Sequence, residues 1–182
     1  MTSLVEAPGA VVGAARAVPT GVLYTLLLLA HVLCAVVGFG TMAVTGVQAA
    51  RARRGPGAPG AEGVLRYFRP GANWAGRTLY GVPVFGLSLI AASKGAFDAG
   101  DTFVVVGLMV WLVSALLAEV VLWPGERRIQ VELAECWGDP AAAADAAGPA
   151  GTLDGDCRRV AVAAAVLGVL FVAATVIMVG KP

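Results

Sequence analysis

The chain has 182 residues, of which 58% are hydrophobic and 14% charged, against about 25% charged in an ordinary soluble domain. With a mean hydropathy of +0.80 and a net charge of +1, a soluble enzyme, a disordered chain and a nucleic-acid-binding protein are excluded. The expectation is an all-α integral membrane four-helix bundle, a single membrane domain over residues 1–182.

A bilayer core about 30 Å thick needs roughly 20 mostly apolar residues per helix. Four runs qualify, at about 20–48, 78–93, 102–123 and 160–180. The first exceeds the apolar core of a secretion signal and its basic cluster follows it, so it reads as an uncleaved span. In the loop 49–77, Gly55 to Gly60 is a Gly/Pro linker. The stretch Val64 to Arg69 mixes Leu65, Tyr67 and Phe68 with arginine, as a short interfacial segment does. The second run carries Gly81, Pro83 and Gly86, breakers that neighbouring helices absorb in lipid.

The loop 124–159 follows the third run. Pro124 suits the first turn of a new helix. Ile129, Leu133 and Trp137 then recur at i, i+4 and i+8, and Arg128 and Glu132 make an i,i+4 pair. This predicts a short amphipathic helix on the cytoplasmic face. Gly138 to Asp156 is rich in Ala, Gly and Asp and reads as a flexible linker. Ten Lys/Arg residues lie in these two loops against three on the other side, Arg16, Lys94 and Lys181. The loops are therefore expected in the cytoplasm and both termini outside the cell membrane.

His31 is the only histidine and lies about 16 Å below the outer end of the first span. Ionisable groups at that depth are functional candidates. His31 is thus a candidate haem or metal ligand, with haem b as the candidate cofactor. The alternative is a neutral imidazole hydrogen-bonded to a neighbouring helix, and Ser88 and Ser114 are at a matching depth. Met109 is a second candidate haem ligand, as is the His31 of a second copy.

Glu119 is the only acid within a span, at about the depth of Arg77 and Tyr80. It reads as a carboxylate reaching the interface or paired with Arg77. The alternative is a proton relay with His31, although about 9 Å of depth separates the two. Together Ser88, Ser114, Glu119, Arg77 and Tyr80 define the candidate polar network of the spans.

Small residues recur at Ala30, Cys34 and Gly38, and at Ala164 and Gly168. Such faces let helices approach closely, within the bundle or across a homo-oligomer. Cys136 and Cys157 are expected reduced in the cytoplasm, and Trp74, Trp123 and Trp137 stand where interfacial anchors stand. No P-loop, dinucleotide fingerprint, HExxH or nucleophile elbow occurs, and no catalytic residue is assigned.

The stretch LLLLAHVLCAVVGFG (Leu26 to Gly40) resembles a group of small bacterial four-helix membrane proteins of uncharacterised function. The same pattern is similar to copper-resistance D-type and membrane protoporphyrinogen-oxidase-like proteins. It continues in RPGANWAGRTLYGVPVFGL (Arg69 to Leu87) and LWPGERRIQ (Leu122 to Gln130). The resemblance implies a helical bundle in which His31 meets haem or metal. It also brings an intramembrane basic residue and a larger histidine set, neither of which stands here: Lys94 is at the outer end of the second span. The leading expectation is an accessory or assembly component of a larger membrane complex or homo-oligomer, in contact with the lipid bilayer and not with nucleic acid. A haem- or metal-binding redox protein and a small proton-coupled transporter are the alternatives.

Overall fold

A computed structural model of the protein describes residues 21–55, 57–138 and 150–180. Helix α1 (Val22–Ala52) is apolar around its whole circumference for most of its length, as a helix is when lipid or protein surrounds it on every side. Short α2 (Ala61–Tyr67) and α3 (Trp74–Arg77) follow, and a 3-10 turn (Thr78–Tyr80) leads into α4 (Gly81–Ala92). Helix α5 (Thr102–Leu117) passes through a π-helical turn (Ala118–Leu122) into α6 (Trp123–Gly138), and α7 (Ala150–Val179) ends the bundle. Four stretches are long and apolar enough to cross a membrane: Val22–Ala52, Trp74–Ala92, Thr102–Glu135 and Leu153–Val179. Among the described residues there is no strand.

Each of these stretches passes its expected bounds at one end, the third and fourth by about two turns or more. Pro124 does not start a separate helix; it sits inside one that runs unbroken from Thr102 to Glu135. A proline cannot donate to the carbonyl four residues back, and the wider π turn just before it takes up the mismatch. The buried stripe explains the continuity. Ala115, Ala118, Leu122, Glu126, Ile129 and Leu133 all lie on one buried face that crosses the junction. Trp123 is buried with them rather than set as an interfacial anchor, whereas Trp74 is exposed as expected. Arg128 does not pair with Glu132 but reaches Asp156, at 3.6 Å.

Helix α7 begins within the segment expected to be a linker. Cys157, Val160, Ala164 and Leu167 form a buried stripe at helical spacing, which extends the helix ahead of the apolar run. Asp156 is held by Arg128 and Arg159. The linker residues 139–149 and the side chains of Cys136 and Trp137 lie outside the described residues.

The core sits at the arginine-rich end. In α1 the buried positions begin at Gly38 and continue through Met42, Thr45 and Ala49 to Ala52. They meet Val64 and Phe68 around α2, Leu79, and the inward faces of α6 and α7. Towards the other end, Val22, Leu26, Leu29 and Leu33 of α1 and Val172 and Val176 of α7 are exposed, as lipid-facing side chains are.

The small-residue faces are taken up inside the bundle. The Cys34 sulfur lies 2.6 Å from where a Gly81 Cβ would stand, and a Gly38 Cβ would lie 3.0 Å from the Leu79 nitrogen. At Gly46 a Cβ would overlap that of Ala164, so α1 and α7 meet there backbone to side chain. Gly168, by contrast, has nothing within 4 Å of its Cβ position. Gly46→Leu is therefore expected to cost about 1–3 kcal/mol by overpacking, read as a lowered thermal midpoint in detergent. Gly168→Leu is expected to leave the midpoint in place. Equal midpoints would show that close approach at Gly46 does not hold α1 to α7.

Candidate functional site

Two polar arrangements interrupt the apolar bundle. The first joins α1, α4 and α5. Pro83 has no N–H, so the Leu79 carbonyl loses its donor four residues on. The Trp111 indole N–H of α5 donates to that carbonyl at 3.0 Å. One turn away, His31 Nδ1 lies 2.8 Å from the Val82 carbonyl. A carbonyl only accepts, so Nδ1 carries the proton of this bond, and Nε2 is the ring nitrogen left over. The ring lies against Gly86, where a Cβ would stand 3.2 Å from its Cε1. A larger side chain there would push the imidazole off the helix.

His31 thus takes neither serine as partner. Ser88 donates to Val84 and Ser114 to Val110, each a carbonyl of its own helix at 2.8 Å. Tyr80 donates to Glu119, which the π turn carries. Arg77 lies over the Trp123 ring, 4.7 Å from its centroid, a cation–π contact. The expected network therefore divides. Tyr80 meets Glu119 and Arg77 meets Trp123, while Ser88 and Ser114 turn back on their own helices. Met109 is half exposed on α5.

The second arrangement was not foreseen and lies at the arginine-rich end. Tyr67, at the end of α2, shares a 2.6 Å hydrogen bond with the fully buried Thr45. Asn73 stands before α3 and accepts the Gly76 N–H at 3.4 Å. Its amide donates to Glu126 of α6 at 3.2 Å and to the Tyr67 hydroxyl at 3.5 Å. Gln130, one turn on from Glu126, donates to the Gly71 carbonyl at 3.4 Å. Glu126 and Gln130 are both buried. Burial pushes the Tyr67 phenol above its usual range, with the Glu126 charge adding to the shift, so Tyr67 stays a neutral donor and acceptor. Thr41, Tyr67, Arg69, Asn73, Glu126 and Gln130 line a cavity of about 340 Å³. The available signal was that Glu126 and Gln130 share a helix face with the apolar Ile129 and Leu133.

Four bilayer-length apolar helices with a folded polar end define a multi-pass membrane protein. No protein-family model, curated protein or solved structure matches the chain. The α4 joint yields a direct test. Trp111→Phe is expected to cost about 0.5–1.5 kcal/mol, the net worth of one hydrogen bond, since the Gly81 N–H still reaches the Leu79 carbonyl. In a Pro83→Ala background the new backbone N–H serves Leu79, and the same substitution is expected to cost much less. A double-mutant cycle on thermal midpoints measures the difference. Strict additivity would show that Leu79 is not the shared acceptor.

Proposed function

We propose that this protein is a non-catalytic accessory or assembly component of a larger membrane complex, with its arginine-rich end in the cytoplasm and both termini outside. One observation carries the reading. Arg51, Arg54, Arg66, Arg127 and Arg158 are exposed at that end and make no ion pair among the described residues. The platform that presents them is fixed from below by buried Val64, Phe68, Ile129 and Leu133. Glu62 and Glu135 are exposed at the same end, so the surface is mixed in sign with an arginine excess, which favours an acidic partner over a basic one. Within the spans, the hydroxyls of Ser88, Ser114 and Thr175 are bonded to their own helices, which supports a holding role rather than a transport path.

Protein drawn from its native membrane in mild detergent is expected to run in a complex heavier than its own 18.4 kDa. Charge reversal at Arg51, Arg54 and Arg127 together is expected to release it. A cofactor-free monomer in the native extract would overturn the reading. Orientation has its own test: Gly57→Cys, at a position with nothing within 4 Å of its Cβ, is expected to resist an impermeant maleimide in intact cells and to react in inverted vesicles. Labelling of intact cells would reverse the assignment.

A haem- or metal-binding redox protein is the second reading, and the Val82 bond favours it. A ring held by Nδ1 on a carbonyl presents Nε2 in a fixed direction, as metal-ligating imidazoles do. Among the described residues no three His, Cys, Asp or Glu side chains converge, and Met109 and another copy's His31 are the candidate second ligands. Oxidised and reduced spectra with metal analysis decide it. A Soret band or stoichiometric metal lost in His31→Ala supports the reading. A blank from a haem- and metal-replete host overturns it.

A further inference from the structure

The polar cavity adjoins an apolar groove. Along α1, Val36, Val37, Gly40 and Val44 line a groove of about 390 Å³, and Thr41 and Tyr67 belong to both spaces. The groove exists because position 40 has no side chain; a Cβ there would meet no atom within 4 Å. From Val44 to Val36 it follows α1 for about 12 Å, away from the arginine-rich end and into the apolar stretch. Its valines are 41–53% exposed. A slot that is polar at the membrane surface and apolar towards the bilayer interior has the form of a lipid.

The charges of the cavity select the head. Arg69 is its cation and makes no ion pair among the described residues. Glu126 is its carboxylate, 5% exposed. Asn73 supplies one N–H to Glu126 Oε1, and a carboxylate has acceptor capacity well beyond that. A purely anionic head would satisfy Arg69 and meet repulsion from Glu126. A zwitterionic head complements both. A primary ammonium brings three N–H donors to the carboxylate, whereas a trimethylated one brings none. We propose that the groove and cavity together bind a bilayer phospholipid of the phosphatidylethanolamine type. Its phosphate lies against Arg69, its ammonium against Glu126, and one acyl chain along Val36, Gly40 and Val44.

The test is native mass spectrometry of the delipidated full chain, titrated with phosphatidylethanolamine, phosphatidylcholine and phosphatidylglycerol of identical acyl chains. The ethanolamine lipid is expected to bind about tenfold more tightly than the other two, the effect of one charge-assisted contact of about 1.4 kcal/mol. Gly40→Leu fills the groove where no atom stands and is expected to weaken all three lipids without moving the thermal midpoint. Glu126→Gln keeps the Asn73 bond and is expected to abolish the preference for ethanolamine over choline. Should that variant not fold, the exposed Arg69→Gln is expected to weaken all three phospholipids. Equal binding of the three lipids by the unaltered protein, or undiminished ethanolamine-lipid binding in Gly40→Leu, would overturn the proposal. So would displacement of the lipid by an equimolar short-chain quinone. None of these readings depends on whether the protein belongs to a complex, so this site and the accessory role stand or fall separately.

Discussion

A proline at position 83 removes a backbone donor from a helix that has little or no water to replace it, and the packing of three helices follows from that loss. In lipid each unsatisfied backbone group costs several kcal/mol, so the deficit has to be met by protein. Trp111 meets it from α5, at the Leu79 carbonyl. The tryptophan ties α5 to α4 at one rotational setting, because a single donor reaches a single acceptor. His31 then fixes α1 against the same turn through Val82, and Gly86 supplies the space for the ring. The apolar surfaces of these helices carry little directional information of their own. Two polar side chains and one missing N–H provide it.

The molecule is divided between this joint and a denser core at the arginine-rich end. There, α2, α3 and the continuation of α5 into α6 cover the ends of α1 and α7. The π turn is what makes this possible. It carries the helix past Pro124 while keeping Leu122 and Ile129 on the face that Ala115 and Ala118 began. Three spans thus share one folded head, and the lipid-facing segments project from it. The ion pairs Arg53–Asp154 and Arg128–Asp156 lie across the head and link α7 to the regions of α1 and α6. As surface pairs they orient these elements more than they stabilise them.

What could be read in advance follows the same physical division. The four spans were legible because the solvent demands twenty apolar residues in a row, a signal that depends on no neighbour. The approximate depth of Tyr80 and Glu119 followed from helical rise alone, and the structure joins them. The partner of His31 was not legible. Side chains of matching depth were visible in the sequence, but a backbone carbonyl beside a glycine has no signature of its own. Ser88 and Ser114 bond backwards along their helices, the ordinary habit of hydroxyls in a membrane helix, and depth matching is blind to that choice. The α6 helix was legible from its apolar spacing but was expected as a separate helix starting at Pro124, and the first turns of α7 were missed because their polar surface resembles loop composition. Only the spacing of Cys157, Val160 and Ala164 marks those first turns of α7 as helix.

Glu126 and Gln130 present a different problem, since the fold does not require them. They stand on the face of α6 that Leu122, Ile129 and Leu133 otherwise make apolar. Burying a polar group is unfavourable unless it is bonded, and apolar residues at those positions would pack the head at least as well. Asn73 and Tyr67 are turned towards Glu126 or towards one another, with distances of 3.2 and 3.5 Å. That is looser than the 2.6 Å bond between Tyr67 and Thr45. Local consistency fails most often where a protein does something other than fold. Here the departure from an apolar face coincides with a polar cavity that adjoins the groove along Gly40, and it is this pairing of polar and apolar space on which the phospholipid proposal rests.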